Sequence, residues 1–170
     1  AGAVVLKAVD NNTEDVTGAL VGHERGIIDS NIYNDGTGAS VLTGGRRFSD
    51  SCSTDIFIHM DGQEVFKFAV KSVPTAIETL LHNNNMDIND VDKFILHQAN
   101  VRIIESVAKR LKADKDKFPV NLNEYGNTSS ASIPILLDEL NRNGSLKQGE
   151  KLVLAGFGAG LSWGSILLVW

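Results

Sequence analysis

Apolar residues recur at helical spacing over residues 64–83, where Val65, Phe66, Phe68, Ala69, Val73, Ala76, Ile77, Leu80 and Leu81 define one stripe. Pro74 lies inside that run and predicts a break or kink a few residues before it. Residues 101–111 predict a second helix, with Ile103, Ile104, Val107 and Leu111 on its buried side and Asn100 as N-cap. Residues 128–141 predict a third, whose first turns are almost all small and which Gly144 closes. Short strands are expected at residues 4–9, 26–33 and 56–60, separated by the turn clusters Asn34-Asp35-Gly36 and Gly44-Gly45. Residues 91–96 have buried-strand character and run directly into His97-Gln98-Ala99-Asn100. A short strand is expected at 117–122, then a turn at Glu124-Tyr125-Gly126-Asn127. Two final strands, 151–157 and 162–170, are joined by Gly158-Ala159-Gly160. Helices alternating with strands and ending in a strand pair predict a layered α/β domain, its sheet mostly parallel with one antiparallel strand.

The length of 170 residues supports one domain with a sizeable core, and 42% hydrophobic with 22% charged residues is an ordinary globular balance. A net charge of −5 gives no long-range attraction to nucleic acid or an anionic membrane, so an anionic partner must be met by a local basic patch. The single cysteine, Cys52, excludes an intrachain disulfide and a multi-cysteine metal site, and favours a reducing, cytoplasmic compartment. Metal binding has no support. No apolar run reaches the roughly 20 residues of a membrane-spanning helix, and residues 1–6 lack the basic flank and length of a signal peptide.

Candidate chemistry gathers where strands end. His97 stands at the junction of a buried strand and a helix, the edge where open α/β sheets bind ligands, and Asn127 holds a similar place before residue 128. Two neutral donors at two such edges suit an oxygen that becomes negative during reaction. A neutral histidine donates from one ring nitrogen only, so the partner of the other nitrogen decides between donor and base. The plainer alternative is an ordinary satisfied histidine and a turn asparagine. Cys52, His97 and Asn127 also follow the chain order of papain-like hydrolases, but no helix pattern begins at Cys52, and its aspartate-flanked loop would raise a thiol pKa.

Four stretches together resemble one family: Met60-Asp61-Gly62-Gln63-Glu64-Val65-Phe66-Lys67-Phe68-Ala69-Val70, His97-Gln98-Ala99-Asn100-Val101-Arg102-Ile103-Ile104, Tyr125-Gly126-Asn127-Thr128-Ser129-Ser130-Ala131-Ser132-Ile133-Pro134 and Phe157-Gly158-Ala159-Gly160-Leu161-Ser162-Trp163-Gly164. In order and spacing they are similar to the β-ketoacyl-acyl-carrier-protein synthase III signature. The resemblance implies a thiolase-like α/β fold, with residues 1–170 forming the C-terminal half of a duplicated unit and the first residues the last strand of the other half. It implies a Claisen condensation: an acyl group from acyl-coenzyme A rests on a cysteine, and malonyl-carrier-protein loses carbon dioxide. His97 and Asn127 match the family's histidine and asparagine that stabilise the enolate. The nucleophilic cysteine lies upstream of everything here and Cys52 does not match it, so the chain alone is expected to be incomplete and inactive.

By the same resemblance, Gly62, Asn100, Phe157 and Ala159 line the substrate and coenzyme A site. Lys67, Arg102, Lys109 and Arg110 receive an acidic acyl carrier protein, with a solvated helix face as the alternative. Ala159 stands where many relatives have glycine, and its N–H serves the thioester oxyanion only if its conformation is ordinary. No cofactor is expected beyond the acyl-coenzyme A and malonyl-carrier-protein substrates. The intact protein is expected to be a homodimer with no nucleic-acid or membrane partner. Another thiolase-superfamily condensing enzyme and a non-catalytic half that binds a partner chain remain the alternatives.

Overall fold

The computed structural model describes residues 2–6, 25–44 and 57–170. In chain order its elements are β1 (Gly26–Asn34), β2 (Leu42–Gly44), β3 (Ile58–Met60), α1 (Gly62–Asn83), β4 (Lys93–Leu96), α2 (Val101–Leu111), α3 (Leu122–Tyr125), α4 (Ser132–Arg142), β5 (Lys151–Gly158) and β6 (Ser162–Val169). The main sheet has the order β1-β6-β5-β4, and β2 pairs with β3 in a separate ribbon.

Burial on both faces explains why β4 ends in the consecutive apolar residues Phe94, Ile95 and Leu96. Phe94 and Leu96 join the core under α1 and α2, with Ala69, Val73, Ile77, Ile104, Val107, Val153 and Leu167. Ile95 points the other way, into a second core with Leu136, Leu137, Leu140 and Leu152. The alternation is the period of two that a pleated strand imposes, and the sandwiching of a strand between helix layers is the α/β arrangement.

The α/β class with a mixed sheet is as the sequence predicts, but the balance of pairing differs. Among the described residues only β4–β5 is parallel, whereas β5–β6 and β6–β1 are antiparallel. The short Gly158-to-Ser162 connection forces the antiparallel return, since a parallel one needs a crossover. At the edge, Asn31 fastens β1 to its neighbours: its Oδ1 accepts from Ser165 N at 3.0 Å and Oγ at 2.7 Å, and its Nδ2 donates to the Ala76 carbonyl in α1 at 2.8 Å.

Five further expectations are corrected. Helix α1 runs without a break through Pro74, which is buried in it along with Val73, Ala76 and Ile77. Packing against α2 and the sheet outweighs the single backbone hydrogen bond that proline removes. Helix α1 also starts earlier than residue 64, because Asp61 accepts from the N–H groups of Gln63 and Glu64 as its N-cap. Residues 117–122 form no strand: Lys117 ends a 3-10 turn and Leu122 opens α3. The segment packs onto the flank of β4 instead. Phe118 stacks on Phe94 with ring centroids 4.7 Å apart, and Lys117 Nζ donates to the Val91 carbonyl at 2.6 Å. The helix expected from residue 128 begins as a 3-10 turn over Ser129–Ala131, and α4 proper starts at Ser132. The strand expected at residues 4–9 is not seen over residues 2–6, and the rest of it lies outside the described residues.

Gly164 shows how closely β1 and β6 approach: a Cβ there would lie 2.5 Å from the Asn31 carbonyl oxygen, which is backbone and cannot swing away. Gly164→Ala should therefore destabilise the fold by about 1–3 kcal/mol, the usual cost of overpacking. Denaturant unfolding with an unchanged midpoint would show that β1 is free to shift.

Candidate active site

His97 is placed by the backbone before its side chain does anything. Its N–H donates to the Ala155 carbonyl at 2.8 Å, which carries the β4–β5 pairing one residue beyond the strand and sets the ring at the carboxyl end of the parallel pair. Gln98 then stops the strand. Fully buried, it turns its Nε2 back onto the Leu96 carbonyl at 2.8 Å and accepts from Asn121 N at 3.3 Å, so the chain cannot continue into the sheet. Ser132, the first residue of α4, closes the junction: its Oγ accepts from Gln98 N at 3.2 Å and lies 2.6 Å from His97 Nδ1. The imidazole packs edge-on against Phe157, with ring centroids 5.5 Å apart. Burial pushes the His97 pKa below its ordinary value, so the ring is neutral near pH 7.

Asn127 stands five residues before Ser132, in the turn that leads into α4. Gly126 makes the turn at φ 65° and ψ −161°, a region open essentially to glycine alone. The Asn127 Oδ1 accepts from Ser129 N at 2.9 Å. Only the oxygen of an amide can accept from an N–H, so the flip is fixed and Nδ2 is left to donate. Asn100, the N-cap of α2, has the same arrangement, its Oδ1 taken by Arg102 N at 2.9 Å. Both asparagines thus present donors, whereas their acceptor atoms are spent on the backbone.

The remaining sequence candidates divide by what surrounds them. Phe157 leads from His97 into a chain of ring contacts, to Phe68 at 6.2 Å and from Phe68 to Trp163 at 5.2 Å, which stiffens the wall beside the imidazole. Ala159 lies in the β5–β6 turn and is not among the residues with positive φ, so the ordinary conformation its N–H requires is met. Gly62 is the exposed first residue of α1, and a Cβ there would meet nothing within 4 Å of the described chain.

On α2, Arg102, Lys109 and Arg110 are all exposed and form no ion pair among the described residues. Lys67 differs, since it pairs with Glu64 at 2.7 Å, a hydrogen bond that raises its pKa. Cys52 lies outside the described residues. Residue types did not single out Ser132 or Gln98. The available signal was a serine in a run of small residues and a glutamine after a strand-end histidine, both of which became informative once they met.

The family described as the C-terminal part of 3-oxoacyl-[acyl-carrier-protein] synthase III matches residues 81–170, more than half of the sequence and including His97, Asn127 and Phe157. The chain belongs to the 3-oxoacyl-[acyl-carrier-protein] synthase III family. It is 44% identical over 165 residues to the β-ketoacyl-[acyl-carrier-protein] synthase III of Clostridium acetobutylicum, a match covering 92% of this chain and 51% of that protein. It is 55% identical over 113 residues to the synthase III of the alga Pyropia yezoensis, covering 66% of this chain and 35% of that protein. Among solved structures, the synthase III of Pseudomonas aeruginosa superposes with a TM-score of 0.80 at 33% identity, over 96% of this chain and 47% of that one. The chain thus spans about half the length of the curated synthase III relatives it matches. The thiolase-like α/β class expected from the sequence is the class of these synthase III structures.

Two outcomes follow for the synthase III junction. Gly126→Ala should cost about 1–3 kcal/mol, because alanine is strained at this φ and ψ. Unfolding measurements showing no loss would mean that the Asn127 turn relaxes freely. The His97 ring should titrate below the ordinary histidine value of about 6.5, as followed by NMR of its ring protons. Because the folded pKa is depressed by burial, the associated stability is complete above the ordinary value and is lost as pH falls from there to the folded pKa. A normal or raised titration would contradict the burial.

Proposed function

We propose that this chain supplies the decarboxylation half of a synthase III condensing site, in which His97 and Asn127 stabilise the enolate formed when malonyl-carrier-protein loses carbon dioxide. The reading is supported by two family-matched side chains whose other hydrogen-bonding atoms are already engaged, His97 Nδ1 by Ser132 and Asn127 Oδ1 by Ser129. Their remaining nitrogens are suited to donate. The C–C bond of the malonyl group breaks, its electron pair moves to the α-carbon and thioester oxygen, and the resulting oxyanion is held by two fixed donors. Donors fixed in advance stabilise such a charge strongly because they need not reorganise as it develops. Burial of the His97 ring and its contact with Phe157 lower the local dielectric and strengthen that interaction. The role requires the proton of neutral His97 to sit on Nε2.

The family's nucleophilic cysteine has no counterpart at His97 or Asn127, so acyl transfer from acyl-coenzyme A is assigned to a part of the protein other than these residues. The Ala159 N–H and the Asn100 amide are assigned to the substrate thioester and its pantetheine arm, and Gly62 to the entrance. The exposed cations Arg102, Lys109 and Arg110, which form no ion pair among the described residues, are assigned to an acidic acyl carrier protein, supported by their exposure on a chain of net charge −5. Lys67 contributes less, since Glu64 offsets its charge. The setting is a cytoplasmic, homodimeric enzyme of fatty acid initiation, with no cofactor beyond its substrates.

In the full-length protein, His97→Ala or Asn127→Ala should slow malonyl decarboxylation by roughly a hundredfold or more, the usual effect of removing one oxyanion donor. Acyl transfer from acyl-coenzyme A should be largely retained. Condensation at the normal rate by His97→Ala would remove the assignment. Charge reversal at Arg102 or Lys109 should weaken use of malonyl-carrier-protein far more than of acyl-coenzyme A, with a defect that depends on salt. Equal losses with both substrates would point to a disturbed helix.

A further inference from the structure

The hydroxyl of Ser132 lies between two nitrogen groups, and its hydrogen bonds leave it one way to be satisfied. Ser132 is 2% exposed, so an unmade bond there is not replaced by bulk water. A serine oxygen can accept through its lone pairs but has a single proton to give. The Gln98 backbone N–H, which can only donate, takes up one acceptor position at 3.2 Å. The other close contact is His97 Nδ1 at 2.6 Å, and no other acceptor for the hydroxyl proton is found among the described residues. If Nδ1 carried the ring proton, the oxygen would accept twice and its own proton would be buried without a partner, which folded proteins rarely tolerate. If Nδ1 is bare, every group is satisfied.

We propose that the Ser132 hydroxyl donates to His97 Nδ1 and so holds the neutral ring in the tautomer that carries its proton on Nε2. Ser132 is a positioning residue: it acts through His97 and does not itself meet the reacting atoms. The direction is set in two steps, since Gln98 N–H orients the hydroxyl and the hydroxyl then orients the ring proton. Gln98 is in turn anchored on the Leu96 carbonyl and Asn121 N. The backbone that ends the strand thereby selects the tautomer. The tautomer also meets the requirement of the enolate-stabilising role, so its catalytic consequence rests on that reading, whereas the tautomer itself does not.

The test uses the full-length protein labelled with nitrogen-15 in histidine, observed by two-bond nitrogen–proton correlation NMR above pH 7.5. In the unmodified protein His97 should show a protonated Nε2 and an unprotonated Nδ1. Ser132→Ala should lose this preference and give a measurable fraction of the Nδ1–H form. Its kcat for malonyl decarboxylation should fall at least tenfold, with the KM for malonyl-carrier-protein little changed. A merely structural serine would lower stability without moving the tautomer. A proton found on Nδ1 in the unmodified protein overturns the proposal whether or not the variant folds, and so does a tautomer unchanged in folded Ser132→Ala. The function reading fails separately: if the unmodified protein shows the Nε2 tautomer but His97→Ala decarboxylates normally, the Ser132 assignment stands and the enolate role falls.

Discussion

The parallel pairing of β4 with β5, continued past the strand by the His97 N–H to Ala155 carbonyl bond, fixes the geometry on which the rest of the site depends. Its register is hard to change because β4 is buried on both faces. A slip of one residue would turn Phe94 and Leu96 out of the core under α1 and α2 and drive Ile95 into it. Fully burying one such side chain contributes roughly 1.5–3 kcal/mol, so a register error would forfeit several of these terms together. The direction in which His97 leaves the sheet is therefore decided by apolar packing on neighbouring residues rather than by any contact of the imidazole.

At His97, Asn127 and Asn100 the acceptors are spent internally and donors are left over. Ser129 N occupies the Asn127 oxygen, Arg102 N occupies the Asn100 oxygen, and Ser132 occupies one His97 nitrogen. Such a surface is poorly suited to a cation and well suited to an oxygen acquiring charge. Membership of the synthase III family rests on sequence similarity, whereas the engagement of the Asn127 oxygen rests on hydrogen-bond geometry. The exposed cations of α2 add positive potential on the surface of a chain that is acidic overall.

Much of this was legible in the sequence because it depended on local pattern. The apolar stripes located α1 and α2, the asparagine before the second stripe marked its cap, and the terminal strand pair was plain from its glycine turn. His97, Asn127 and Phe157 were identifiable through motif order and their places at element ends. Local signals also misled where tertiary packing prevailed. Pro74 did not interrupt α1, since the helix is held along two sides. Residues 117–122 read as a short apolar segment, but Phe118 stacks on Phe94 and Asn121 N donates to Gln98, so the segment packs by contacts three residues apart and not by the alternation of a strand.

Composition, periodicity and motif spacing by themselves determined the class of fold, the family resemblance and which residues were candidates for chemistry. The tertiary structure alone decided the mostly antiparallel balance of the described sheet, the ordinary conformation of Ala159 and the partner of each donor. The reason is separation along the chain: Ser132 meets His97 across 35 residues and Gln98 across 34. Periodicity reports which face of an element is apolar, but the direction of a hydrogen bond depends on which groups from distant elements are brought within about 3 Å. Only the packed chain brings α4 against the end of β4, and there a serine indistinguishable in the sequence from its neighbours Ser129 and Ser130 acquires a specific task.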